Sequence, residues 1–204
     1  MKRYLKWVLF LVCLIIVLVI AFLILKDNNL IFDTKIYNYV IKYKSDFWTI
    51  FFKVITFLAS VWFMVGVTIL CLFLPILRKY KIVIVFNMVM DVVLNNLIKI
   101  IVKRPRPVDW FLVNETGYSF PSGHTMASVC FYGLLIYLLY RSNIKKPYKT
   151  IGITILTILI ILIGVSRIYL GVHYASDVVG GALIAIMYLI IYVTIIEKKI
   201  LKKG

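Results

Sequence analysis

Apolar runs of membrane-crossing length, spaced closely along almost the whole chain, constrain this sequence more than any other feature. They lie near residues 4–25, 48–77, 82–102, 122–140, 151–170 and 178–196. A bilayer's hydrocarbon core needs about 20 apolar residues per helix. Without water there, backbone groups must bond within their own segment, which leaves helices. The expected fold class is therefore all-α, a polytopic membrane protein with six transmembrane helices in one membrane-embedded domain over residues 1–204. With 63% hydrophobic residues, a mean hydropathy of +1.01 and a net charge of +16 in 204 residues, a soluble core is excluded.

The first run follows Met1-Lys2-Arg3 but is too long for a secretion signal and lacks a small-x-small cleavage site, so it reads as a retained anchor. The second exceeds what a span needs, which implies a tilted helix or one that leaves the membrane. The third is interrupted by Asp91, Asn95, Asn96 and Lys99. Cys13, Cys71 and Cys130 sit in apolar runs, with neither metal-ligand spacing nor the even count of a disulfide framework.

With the N-terminus inside, the inner segments hold Lys2, Arg3 and Lys6, then Arg78, Lys79 and Lys81. Arg141, Lys145, Lys146 and Lys149 follow, and last Lys198, Lys199, Lys202 and Lys203, fourteen of the 24 basic residues beside one acid, Glu197. Asp27, Asp33, Asp46, Asp109, Glu115 and Asp177 fall outside. Both termini are thus expected in the cytoplasm, with the last lysines against anionic lipid. Between the first two runs, Ile31, Phe32, Ile36, Tyr37, Val40 and Ile41 recur at helical spacing among Asp33, Lys35, Asn38 and Lys42. That pattern fits a short interfacial helix over part of 27–47, or a solvated linker.

Three polar islands interrupt the grease: Lys99…Arg106-Pro107, Pro121-Ser122-Gly123-His124, and Ser166-Arg167…His173…Asp177. On the expected topology all three face outward. Cations beside a bilayer persist where they pair with an anion or have a function. Asp177 alone cannot balance Lys99, Arg106 and Arg167, whereas a bound phosphate could. Ser122 suits a helix N-cap and Gly123 permits close backbone approach, at a helix end whose free N–H groups bind anions. The alternative is a capped helix with His124 merely at the interface. His173 and Asp177, four apart, meet if the last helix starts a turn early. The carboxylate would then fix the imidazole tautomer and make a nucleophile, or the pair is a structural hydrogen bond.

Asp91 shares a helical face with Asn95 and Lys99, and either backs the lysine or makes an interhelix contact. Trp110, Phe111, Tyr118 and Phe120 either guide a lipid chain or mark the interface. Lys103 and Arg104 add charge that the pattern of the islands does not demand.

In order and spacing, the three islands resemble the complete signature of the type 2 phosphatidic acid phosphatase family, specific over about 95–181, with a six-helix layout like that of its bacterial membrane members. The resemblance implies catalysis by His173 as nucleophile through a phosphohistidine, Asp177 orienting its ring, and His124 as acid and then base. Lys99, Arg106, Arg167, the Ser122 hydroxyl and the Gly123 amide would bind phosphate. No metal or other cofactor is implied. The expected partners are the bilayer and a lipid phosphate or diphosphate, such as undecaprenyl diphosphate, phosphatidylglycerophosphate or phosphatidic acid; no nucleic acid is expected. The site would face the extracellular or periplasmic side of the cell membrane. Phosphotransfer to another acceptor, or a transporter or scaffold with a vestigial site, are the alternatives.

Overall fold

The computed structural model describes residues 3–74, 80–108 and 111–199. Lys2, Arg78, Lys79, Asp109, Trp110, Lys202, Lys203 and the end of the second apolar run, 75–77, lie outside the described residues, as do the side chains of Arg3 and Lys199. The described residues fold into helices α1 (Arg3–Lys26), α2 (Ile31–Val40), α3 (Asp46–Phe57), α4 (Val61–Phe73), α5 (Lys81–Val102), α6 (Gly123–Arg141), α7 (Lys146–Tyr169) and α8 (Ala175–Lys199), with a 3₁₀ turn at Ile41–Tyr43 and no strand. The all-α expectation holds. Five single helices, α1 and α5 to α8, are long and apolar enough to cross a membrane.

The second apolar run is not one helix. It divides into α3 and α4, bent by 46° at a short break. Ser45 caps α3 by accepting from Trp48 N, and Ser60 caps α4 by accepting from Phe63 N, each at 3.3 Å. A second capped start, at Ser60 inside the apolar stretch, favours two helices. Counted as one passage, the pair makes a sixth crossing.

α6 is the most enclosed of the long helices, packed among α5, α7 and α8; α1 lies along α8, and α3 along α7. One core joins Ile84, Phe131, Leu134 and Ile163, and a second joins Ile24, Met126, Cys130 and Ala185. Outward faces stay apolar, as with Leu25, Ile101 and Ile161 at 70%, 76% and 59% exposure, the arrangement expected where lipid is the solvent. α2 forms within the 27–47 connection, but Asp33, expected on its polar face, is 1% exposed and points into the protein.

This arrangement gathers the ends of α5, α7 and α1 and the starts of α6 and α8 at one end of the bundle. The three polar islands lie on those termini.

Candidate active site

α7 ends at Tyr169, and the turn to α8 uses Gly171 at φ +71°, a conformation that glycine adopts without steric cost. The turn carries His173, 2% exposed, into the protein two residues before α8 begins. Its Nδ1 lies 3.6 Å from Asp177 Oδ2 and 3.4 Å from Ser119 Oγ, which itself donates to Asp177 Oδ2. The same carboxylate oxygen accepts from Tyr174 N at 2.9 Å.

On the other side of the ring, Arg106 Nη1 is 3.2 Å from His173 Nε2. A guanidinium can only donate, so Nε2 carries the lone pair and the proton sits on Nδ1, toward Asp177. Burial pushes the His173 pKa down to about 4, opposed by Asp177 and reinforced by Arg167 and Arg106. The imidazole is neutral near pH 7, with Nε2 facing a cationic group.

Arg104 is the residue that sequence reasoning undervalued. It is wholly buried, donating through Nη1 to Asp177 Oδ1 at 2.7 Å and to Ser176 Oγ at 2.7 Å. Through Nη2 it meets Asp33 Oδ2 at 2.8 Å and Asn28 O at 2.7 Å, and its guanidinium lies 3.9 Å from the centre of the Tyr174 ring. Asp33 in turn accepts from the Ser176 backbone N–H and hydroxyl. Though outside the signature, Arg104 neutralises Asp177 and ties the α1–α2 connection to the start of α8. The guanidinium in direct contact with Asp177 is therefore that of Arg104, while Lys99 and Arg106 feel its charge only at longer range.

Glu115, in the loop between α5 and α6, supplies the other balancing charge. It pairs with Arg167 Nη2 and stands 3.8 Å from Arg106 Nη2. Burial works against its ionisation, but Arg167, His124 and Arg106 hold its carboxyl below the usual range. Arg167 Nη1 donates to Thr56 Oγ1 at 2.7 Å, while its buried Nε has no partner among the described residues. Arg106 is braced by the carbonyls of Val172, Thr116 and Gly117 at 2.9 to 3.1 Å. Lys99, half-buried in the last turn of α5, completes the cations; the charges acting on it are those of Arg106, Glu115, Arg167 and Asp177.

The start of α6 is clamped from two sides. Ser122 N donates to Asp177 O at 3.1 Å, and Asn95 on α5 donates to Pro121 O at 3.3 Å. A Cβ on Gly123 would approach Asn95 Oδ1 to 3.2 Å, and one on Gly181 would approach Ser122 O to 3.0 Å. Ser122 occupies the N-cap position, yet its side chain makes no capping bond; its hydroxyl accepts from Thr125 Oγ1 at 3.0 Å. Gly123 and His124 open the helix, so their N–H groups have no intrahelical acceptor. His124 is half-buried, and the charged groups acting on it are Arg167, Glu115, His173 and Lys99.

His173, His124, Asp177, Lys99, Arg106, Ser122, Gly123 and Arg167 thus occupy one end of the bundle. Asp91 does not back Lys99: it bonds the Cys130 thiol on α6, an interhelix contact. Phe120 neither guides lipid nor marks an interface; it is 1% exposed, packed where a Gly180 Cβ would stand. Phe111 and Tyr118 are exposed. The sequence carries no local signal that assigns Ser119, Glu115, Arg104 or Asp33 to the site.

The model of the PAP2 superfamily matches residues 80–201. Phosphatidylglycerophosphatase B of Bacillus subtilis is 39% identical over 92 residues, 45% of this chain, and the match spans less than half (45%) of that relative's length. Undecaprenyl-diphosphatase of Sulfolobus acidocaldarius is 30% identical over 195 residues, 90% of this chain and 87% of the relative. In fold, the chain is similar to the crystal structure of a transmembrane PAP2-type phosphatidylglycerolphosphate phosphatase from Bacillus subtilis, with a TM-score of 0.83 at 24% identity over 93% of this chain and 96% of that one.

Proposed function

The chain belongs to the PAP2 superfamily, and on that premise we propose that it is a multi-pass membrane lipid phosphatase acting through a phosphohistidine on His173. One observation carries the reading: an unprotonated His173 Nε2 beside Arg106, while Arg106 and Arg167 hold a carboxylate between them. A carboxylate and a phosphoryl group engage guanidinium alike, so a phosphate displacing Glu115 would lie against the nucleophile.

In the first step the Nε2 lone pair attacks phosphorus as the bond to the leaving oxygen breaks. His124 gives that oxygen its proton, and Asp177 stabilises the Nδ1–H side of the ring as it becomes cationic. In the second step water adds to phosphorus, the P–N bond breaks and His124 takes the water's proton. Lys99, Arg106, Arg167, the Ser122 hydroxyl and the Gly123 N–H balance the charge on the non-bridging oxygens, most in the transition state. Four of these groups are cations or backbone donors already in place. A divalent metal is therefore not required, and EDTA should leave turnover intact.

The substrate is a phosphate or diphosphate on a lipid. Relatives named for phosphatidylglycerophosphate and for undecaprenyl diphosphate support that class, as does the site's place at the ends of apolar helices. All 204 residues act as one membrane domain, with the termini in the cytoplasm and the catalytic end outside. A panel of purified protein against lipid monophosphates and diphosphates, with inorganic phosphate as readout, tests this. Release from lipid substrates supports hydrolysis, and recovery of the phosphate on an acceptor lipid would replace it with transfer. Labelling of a cysteine placed in 141–145 from outside intact cells is expected to fail.

A further inference from the structure

At the end of the bundle opposite the catalytic cluster, α1, α6 and α8 enclose a cleft of about 770 Å³ that the proposed phosphatase reaction does not use. It begins at Gly133 and reaches Arg141, nine to 17 residues beyond His124 on α6, or ~14–26 Å of helix rise. Its volume is that of a small-molecule site.

The lining has two halves. Ile186, Leu189, Ile190 and Val193 on α8 form an apolar wall below, while Lys6, Arg141 and Lys198 bring three cations to the mouth. Among the described residues none of the three forms an ion pair. Lys6 donates to Thr194 Oγ1 at 2.9 Å, and its ammonium lies 5.8 Å from the Trp7 ring centre. The one acid, Glu197, accepts from Tyr137 at 3.0 Å. Three positive charges against one negative leave the mouth cationic.

The geometry points to a binding site for an anionic phospholipid, its phosphate at Lys6, Arg141 and Lys198 and an acyl chain along Ile186, Ile190 and Val193. A free phosphate would use only the mouth, and a neutral lipid only the wall; an acidic amphiphile fits both. Basic pockets between membrane helices hold anionic head groups by this combination, with each cation near the surface contributing favourably. The lipid joins α1 to the α6–α8 pair at the end remote from catalysis.

The test is native mass spectrometry of the full chain released from detergent, titrated with phosphatidylglycerol or phosphatidylcholine. One phosphatidylglycerol is expected to be retained in preference to phosphatidylcholine. The triple variant Lys6→Gln/Arg141→Gln/Lys198→Gln is expected to bind it on the order of 100-fold more weakly. Val193→Trp, which keeps every charge and fills the cleft, is also expected to weaken it, so the result does not hang on one variant's folding. Arg106→Gln, at the catalytic end, is expected to retain the lipid whether or not the protein is a phosphatase. Binding unchanged in both cleft variants, loss of the lipid in Arg106→Gln, or displacement by millimolar inorganic phosphate would each overturn the assignment.

Discussion

Arg104 and Asp177 face each other at 2.7 Å with neither side chain exposed. Removing one partner of such a pair strands a buried charge, at a cost of about 3–5 kcal/mol. Arg104→Gln should therefore lower the thermal midpoint in detergent and remove most activity, and Asp33→Asn should do so more mildly. A cycle between them should be non-additive, since both act on one network. Additive losses would show that Asp33 and Arg104 are not coupled.

On the proposed mechanism, Glu115 competes with substrate. Because it must leave Arg167 and Arg106 before a phosphate can enter, Glu115→Gln should lower KM, and the inhibition constant for inorganic phosphate, by about tenfold, the worth of one partly buried charge-assisted bond. A raised KM with this variant would mean that the carboxylate helps to hold the substrate.

The pH profile follows from His173. Burial, with Arg167 and Arg106, lowers its pKa to about 4 against the pull of Asp177, so the reactive neutral ring persists as pH falls through the usual histidine range. The acid limb of kcat/KM due to this ring should lie near pH 4. Stability has the matching sign: the unfolded chain binds the proton first, so stability declines as pH drops from about 6.5 toward 4. Arg106→Gln removes one cation facing the ring and should move the limb upward. A limb near 6.5 in the unsubstituted protein would contradict the buried, cation-flanked ring.

Gly181 sets the spacing between α8 and the start of α6. A methyl there would press on the Ser122 backbone, 3.0 Å from its oxygen and 3.3 Å from its nitrogen, at a cost of about 1–3 kcal/mol for overpacking. Gly181→Ala should cut kcat at least roughly tenfold, the sensitivity expected of a misplaced catalytic group, while the protein still purifies as a folded species. Wild-type kcat would show that the helix start tolerates displacement.

The helices were legible because apolar runs of fixed length leave few folds open, and the candidate site because its residues lie in three short islands around helix ends. What escaped notice depended on distance along the chain or on loops. Arg104 meets Asp33 across 71 positions, and nothing local marks either as the other's partner. Asp33 even sits among residues whose period suggests a polar face, but it is buried with Tyr37 against the protein and meets Ser176 on α8, while Lys35 and Asn38 stay exposed. Glu115 lies in a segment without periodicity. The break between α3 and α4 is silent in hydropathy because Leu58, Ala59 and Ser60 do not interrupt the apolar run; Ser60, a capping residue type, was the only sign.

The most direct test of the central claim is to trap the covalent intermediate. His124→Ala should slow the breakdown of the intermediate by roughly 10²–10⁴-fold, the usual contribution of a general base. A substrate with a good leaving group should still phosphorylate the protein, so label from [³²P]-phospholipid should accumulate and be located on His173 after alkaline quench and digestion. Phosphate on another residue, or label that persists in His173→Ala, would contradict the account.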